Sequence, residues 1–150
     1  MRYIELDTPA LLIDRERLTK NLKDMQSYAD AHGVALRPHT KTHKCPEIAK
    51  MQLAAGACGL AVAKVGEAEA MAEAGLDNLF IANEIVGEAK LRRIAALAKR
   101  GVKLAFGVDT PCQVTAAESV FAQEGVSVPV LVEIEVGENR SGVIEEADFL

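Results

Sequence analysis

One lysine-rich run in this chain has the setting that amine chemistry requires: Arg37-Pro38-His39-Thr40-Lys41-Thr42-His43-Lys44-Cys45-Pro46. It follows a short apolar segment, Val34-Ala35-Leu36, and precedes a helical stretch that opens at Pro46. That order predicts a strand, a turn and a helix, with Lys41 at the carboxyl end of the strand. α/β folds place their chemistry at such βα mouths. A lysine there can be desolvated enough to be neutral and nucleophilic, the state from which an amine forms a Schiff base with a carbonyl. Further strand-to-helix junctions put Lys64, Asn83-Glu84, Asp109-Thr110 and Glu138-Asn139-Arg140-Ser141 on the same rim. Lysine, histidine and arginine gathered there suit an anionic, phosphate-bearing ligand. Against this stands the usual fate of a single lysine, a solvated surface charge.

Other chemistries find no support. No Gly-x-Gly-x-x-Gly follows a strand and no Walker-type loop is present, so neither dinucleotide nor P-loop binding is indicated. His39 and His43 lie four apart, but on a strand end and a loop rather than one helix face. Neither HExxH nor a Cys/His zinc spacing occurs, so no metal ligand is assigned within the segment. His32, just before Gly33, reads as a helix C-terminal residue that favours the dipole. The serines lack a Gly-x-Ser-x-Gly setting.

The elements that must position Lys41 follow from the glycines. Gly33, Gly56, Gly75, Gly101 and Gly125 each close an alanine-rich helical stretch, where a glycine cap is expected. Each interval between them holds one strand and one helix. The β-prone runs are Val34-Ala35-Leu36, Leu60-Ala61-Val62-Ala63, Asn78-Leu79-Phe80-Ile81, Val102-Lys103-Leu104-Ala105-Phe106 and Val128 to Ile134. Helix starts agree: Thr110-Pro111-Cys112-Gln113 is a capping box with proline in the first turn, and Pro46-Glu47 and Gly66-Glu67 place proline or acid in theirs. Pro9-Ala10-Leu11-Leu12-Ile13 reads as a further strand, and Asp14 as the N-cap of a helix running to about Ala31. Strands alternating with helices at this pitch predict a parallel α/β sheet built from βα units. A TIM barrel needs about eight such units over some 250 residues. This chain supplies about the first half of them, so it reads as a partial, truncated barrel, with residues 144–150 barely beginning another helix. The alternative is a complete open doubly wound sheet.

Net charge is −5, with the signs interspersed, which argues against nucleic acid or an anionic membrane as partner. The three cysteines, Cys45, Cys58 and Cys112, form no CxxC pair and read as free thiols of a reducing compartment. The N-terminus lacks the apolar core of a signal peptide, and no apolar run is long enough to span a bilayer. A cytoplasmic location is expected.

Four stretches together carry a family resemblance: Thr8-Pro9-Ala10-Leu11-Leu12-Ile13-Asp14, Arg37 to Lys44, Ala63-Lys64-Val65-Gly66-Glu67-Ala68-Glu69-Ala70-Met71, and Ile81-Ala82-Asn83-Glu84. They resemble, in order and over nearly all of the chain, the D-threonine aldolase family, whose relatives include D-serine dehydratase and 3-hydroxy-D-aspartate aldolase. These are fold-type III pyridoxal-phosphate enzymes with an alanine racemase-like barrel. The resemblance implies that Lys41 forms the Schiff base with pyridoxal 5'-phosphate, with Lys44, a turn later, the weaker choice. Val136-Gly137-Glu138-Asn139-Arg140-Ser141-Gly142-Val143 resembles the family's segment after the fifth strand, which implies that Arg140 approaches the cofactor ring oxygen. Ser141 stands where the family often has cysteine or leucine.

The resemblance further implies a lyase that cleaves D-threonine or a related D-β-hydroxy-α-amino acid to glycine and an aldehyde. It implies a homodimer when full length and a divalent metal whose ligands, like the phosphate loops and the catalytic histidine, lie beyond residue 150. Residues 1–14 would add a strand to a second β domain, and residues 15–150 would form the N-terminal half of the barrel. A D-serine dehydratase or an amino-acid racemase of the same fold is the neighbouring reading. A non-catalytic pyridoxal-phosphate-binding protein is the reading from another class.

Overall fold

The five glycines expected to close helices all adopt positive φ, and the strands and helices fall between them as their spacing predicts. The computed structural model describes residues 2–145. Helix α1 covers Arg15–Ala31, α2 Pro46–Ala55, α3 Val65–Glu73, α4 Glu88–Lys99 and α5 Pro111–Glu124; the strands are β1 Leu60–Val62, β2 Asn78–Glu84, β3 Lys103–Val108 and β4 Val130–Val132. Asp14 starts α1 as expected, its Oδ1 accepting the Arg17 N–H at 3.0 Å. At the start of α5, Gln113 Oε1 accepts the N–H groups of Asp109 (2.8 Å) and Thr110 (3.2 Å), the acceptor half of the predicted box.

The strands form one parallel sheet in the order β1-β2-β3-β4. Every strand lies beside its predecessor, with no reversal of order. That sequence belongs to a barrel; a doubly wound sheet reverses at a switch point. Along the strands the side chains alternate between faces. Leu60, Val62, Leu79, Ile81, Leu104 and Phe106 turn to the helices and are buried with Met71, Leu91, Ile94 and Phe121 in one core. Phe106 meets Phe121 of α5 edge-on, ring centroids 6.0 Å apart at 81°, a favourable aromatic geometry. On the outside, Arg93 of α4 pairs with Glu69 of α3, and Arg92 and Lys99 of α4 both reach Glu124 of α5 at 2.6 Å. No helix among the described residues is long and apolar enough to cross a membrane.

One expectation needs correction. Val34-Ala35-Leu36 is not a strand. The segment runs extended beside β1, joined to the sheet only by Cys58 N–H to Leu36 C=O and Ala61 N–H to Pro38 C=O, both 2.9 Å, and by one bridge between His39 and Ala61. Pro38 has no N–H to donate, so a continuous ladder is impossible there. Side chains replace it: Arg37 Nη1 donates to Asn78 Oδ1 at 3.0 Å, and Asn78 Nδ2 to the Cys58 carbonyl at 2.8 Å. Gly59 makes room, since a Cβ there would lie 2.2 Å from Arg37 Nη1. Ala10 to Ile13 is unpaired among the described residues, with Leu11, Leu12 and Ile13 exposed; the strand expected there would pair with a second β domain. Val143 bridges to Ile134, Ile144 and Glu145 are not helical, and the rest of the helix expected over residues 144–150 lies outside the described residues.

Candidate active site

Because the strands are parallel, their carboxyl ends and the turns that follow share one rim. Lys41 sits on a single 3-10 turn, Thr40–Thr42, with its side chain exposed. Two bonds fasten the turn to β1 and a third closes it on itself. Thr40 is 0 % exposed and its Oγ1 donates to the Ala61 carbonyl at 3.2 Å. The Ala61 N–H donates in turn to the Pro38 carbonyl. His39 Nδ1 accepts the Lys41 N–H at 3.2 Å. Burial first, and then the charge of Lys41, lower the His39 pKa. The imidazole is thereby kept neutral and able to accept.

After Lys41 the chain folds back on Thr40, whose carbonyl accepts the N–H groups of His43 (3.1 Å) and Lys44 (2.7 Å). His43 Nδ1 accepts the Cys45 N–H at 3.0 Å, which leaves Nε2 as the protonated nitrogen. That nitrogen is buried without a hydrogen-bond partner among the described residues. Lys44 takes φ +48° and sends its ammonium to Glu67 Oε1, 3.2 Å away. Glu67 comes from the first turn of α3, is 7 % exposed, and accepts the Ala63 N–H through Oε2 at 2.7 Å. Burial alone would raise its pKa; the Ala63 N–H and Lys44 outweigh that and hold it below the ordinary glutamate value. Among the described residues, the Lys41 ammonium has no carboxylate partner, in contrast with Lys44.

Arg140 lies at the other end of the sheet, on the loop that leaves β4. Carboxylates hold this loop by its backbone. Glu135 Oε1 accepts the N–H groups of Gly137 (2.7 Å) and Asn139 (2.8 Å), Asp109 Oδ2 accepts that of Gly142 (3.2 Å), and Glu133 Oε1 accepts the Ser141 hydroxyl (2.8 Å). Arg140 itself is exposed and forms no hydrogen bond or ion pair among the described residues. Lys41 and Arg140 share the rim but are not in contact.

Two functional neighbours were not singled out by the sequence reading. Glu67 counted there only as a first-turn acid. Glu84, at the end of β2, was placed on the rim, but its neighbour was not. Its carboxyl lies close to that of Glu133, beyond β4, and its Oε1 is buried with no hydrogen-bond partner among the described residues. The neighbouring Glu133 carboxyl, burial and the charges of Glu133 and Asp109 raise the Glu84 pKa, while Glu133 is lowered beside Glu84 and by the Ser141 hydroxyl. A cleft of about 240 Å³ beside Glu84 is lined by Lys64, Asn83, Lys90 and Arg93. No group of three His, Cys, Asp or Glu side chains among the described residues could hold a metal ion.

Comparison with known proteins shows what the chain is similar to in sequence and fold. A D-threonine aldolase from Arthrobacter sp is 45 % identical over 142 residues, covering 95 % of this chain and 37 % of that protein. Among solved structures, D-threonine aldolase from Filomicrobium marinum superposes with a TM-score of 0.88 at 44 % identity, covering 91 % of this chain and 37 % of that one. D-threo-3-hydroxyaspartate dehydratase from Delftia sp. HT23 does so with a TM-score of 0.87 at 37 % identity, covering 93 % and 36 %. The chain thus spans little more than a third of the length of these relatives. Residues 13–150 match the family described as alanine racemase, N-terminal domain, and with four consecutive parallel strands joined by three helices and a lysine turn on their carboxyl rim, the chain belongs to that family.

Proposed function

We propose that this chain is the cofactor-lysine portion of a pyridoxal-phosphate-dependent lyase that cleaves D-threonine or a related D-β-hydroxy-α-amino acid to glycine and an aldehyde. The observation that carries the reading is Lys41, an exposed amine on a turn locked to β1 at the carboxyl rim, in a chain 45 % identical to a D-threonine aldolase.

The residues on this rim fit the cofactor. It needs a primary amine for its aldehyde and cationic or N–H donors for its ring oxygen and phosphate. Lys41 supplies the first; Arg140, Lys64 and the buried, unpartnered His43 Nε2 are of the second kind. Bound there, the cofactor supplies an electron sink for the pair left on Cα when the Cα–Cβ bond breaks. The work of the chain is to hold and orient. Thr40 and the Ala61 backbone keep the lysine backbone from moving with the rim. Neutral His39 accepts the Lys41 N–H without adding a charge that would repel the ammonium. The Arg140 guanidinium would favour the ionised ring oxygen. The described residues do not fit a divalent metal, and no step is placed on one.

The similarity to the Delftia dehydratase favours dehydration of the same substrate class as the second reading. Product analysis separates the two: cleavage yields glycine and an aldehyde, dehydration an oxo acid and ammonia. The lysine assignment is tested by borohydride reduction of the holoprotein followed by peptide mass mapping. The label is expected on Lys41, and Lys41→Ala is expected to abolish both label and turnover while the protein stays folded. Label on Lys44 or Lys64 overturns the assignment. Arg140→Ala is expected to shift the cofactor's absorbance and its pH response; an unchanged spectrum and cofactor affinity would leave Arg140 a surface charge.

A further inference from the structure

We propose that Glu67 is a positioning residue for Lys41, acting by pinning Lys44 in the left-handed backbone conformation that closes the lysine turn. The inference rests on the reading of Lys41 as the cofactor lysine.

Four observations converge on it. Lys44 has φ +48°, a region that disfavours a residue with a Cβ. Its N–H donates to the Thr40 carbonyl at 2.7 Å, so the left-handed residue is what brings the chain back over the Lys41 turn. Its ammonium is 3.2 Å from Glu67 Oε1, so the side chain that makes this conformation costly is also the one that is tied down. The tie point is rigid: Glu67 is 7 % exposed, and its other oxygen accepts the Ala63 N–H, just past β1.

An ion pair between two mobile surface side chains contributes little, because both must be ordered. Here the carboxylate is already fixed by burial and by the backbone, and only the lysine is immobilised. The pair therefore links α3 to the turn at the point where the turn is least favourable by itself. The alternative role is electrostatic, a carboxylate acting through space on the Lys41 amine. The two roles part company at residue 44. Glycine adopts positive φ freely, so a glycine there makes a backbone clasp unnecessary and leaves an electrostatic effect untouched.

The experiment follows the rate of covalent attachment of pyridoxal phosphate to the apoprotein by absorbance, with borohydride mapping of the attached residue. Glu67→Gln keeps an oxygen for the Ala63 N–H and removes the charge. Attachment at Lys41 is expected to slow about tenfold, the population shift set by an unsupported left-handed residue. Lys44→Gly introduced into Glu67→Gln is expected to restore most of that loss. If Glu67→Gln attaches cofactor at the parent rate, or the glycine gives no recovery, the proposal is overturned. Should Glu67→Gln fail to fold, Lys44→Gly against Lys44→Ala makes the same comparison: the glycine variant is expected to attach cofactor faster, and equal rates overturn the clasp. Parent protein labelled at a lysine other than Lys41 would instead overturn the cofactor-lysine reading, a result the mapping separates from the others.

Discussion

The two ends of the sheet hold their functional loops by opposite means. At the Lys41 end, buried groups do the holding: Thr40 within the β1 edge, and Glu67 neutralised by Lys44. At the Arg140 end the anchors are carboxylates that grip backbone N–H groups, and two neighbouring carboxyls, Glu84 and Glu133, are shifted in opposite directions, Glu84 up and Glu133 down. The first arrangement holds Lys41 in fixed relation to the sheet. The second leaves the Arg140 guanidinium on an exposed loop held by ionisable groups. One rim thus carries two cationic side chains supported by different interactions.

The contrast can be broken most severely at Gly142. This residue has φ +103°, and a Cβ on it would lie 2.6 Å from the Glu135 nitrogen and 2.8 Å from the Ile134 carbonyl carbon, both backbone atoms with no room to yield. Gly142→Ala is expected to destabilise the Arg140 loop by about 3 kcal/mol. Native-state hydrogen exchange should show the Glu135 and Val143 amides opening while the Lys44 amide keeps its protection. Equal loosening at both ends would mean that they are not held independently.

Thr40→Val is the reciprocal change. It strips the Ala61 carbonyl of its hydroxyl donor at nearly constant volume, with an expected cost of about 1–2 kcal/mol. In denaturant unfolding and hydrogen exchange, the loss should fall on the Lys44 and Ala61 amides and spare the Arg140 loop.

The smallest effect sharpens the contrast by its sign. Glu67 has its pKa lowered in the fold, so its stabilisation is present above the ordinary glutamate value and is lost as pH falls through the lower folded value. Glu84 has its pKa raised, so the fold favours its protonated form and loses stability as pH rises from the ordinary value through the raised one. The Lys41 turn should therefore loosen on acidification, and the surroundings of Glu84 as its carboxyl ionises. The Glu135 and Glu133 carboxylates that hold the Arg140 loop have lowered pKa values and also let go on acidification, so the opposite sign belongs to Glu84 alone. Hydrogen exchange across pH checks both, with Glu67→Gln flattening the first response and Glu84→Gln the second. A loosening at high pH that persists in Glu84→Gln would contradict the assignment.

Most of the architecture was legible because it is local. Helix caps, glycine stops and short apolar runs each report on a few neighbouring residues, and from Leu60 to Glu124 they place every element to within a few positions. The run that failed looks like a strand by the same local rules. Val34 to Leu36 lies beside β1, yet Pro38 interrupts its ladder, and the Arg37–Asn78 clamp that replaces the ladder joins residues 41 apart. The site divides in the same way. Lys41 could be found from its place after an apolar run. Glu67's ion pair with Lys44 appears only once the sheet has brought distant strand ends together, and nothing in the spacing of an acid and a base so far apart announces it.

The consecutive strand order has a consequence for how the molecule is made. Each of β2, β3 and β4 docks on the strand that precedes it in the chain, with one helix crossing between. No pairing among the described strands waits for a distant segment, so the separations to be closed stay short and the entropy of closure is met in small steps. During synthesis, β1 with α3 can serve as the template for β2, and the sheet can grow strand by strand as the polypeptide leaves the ribosome. The lysine turn beside β1 is then among the first parts of the rim to take shape.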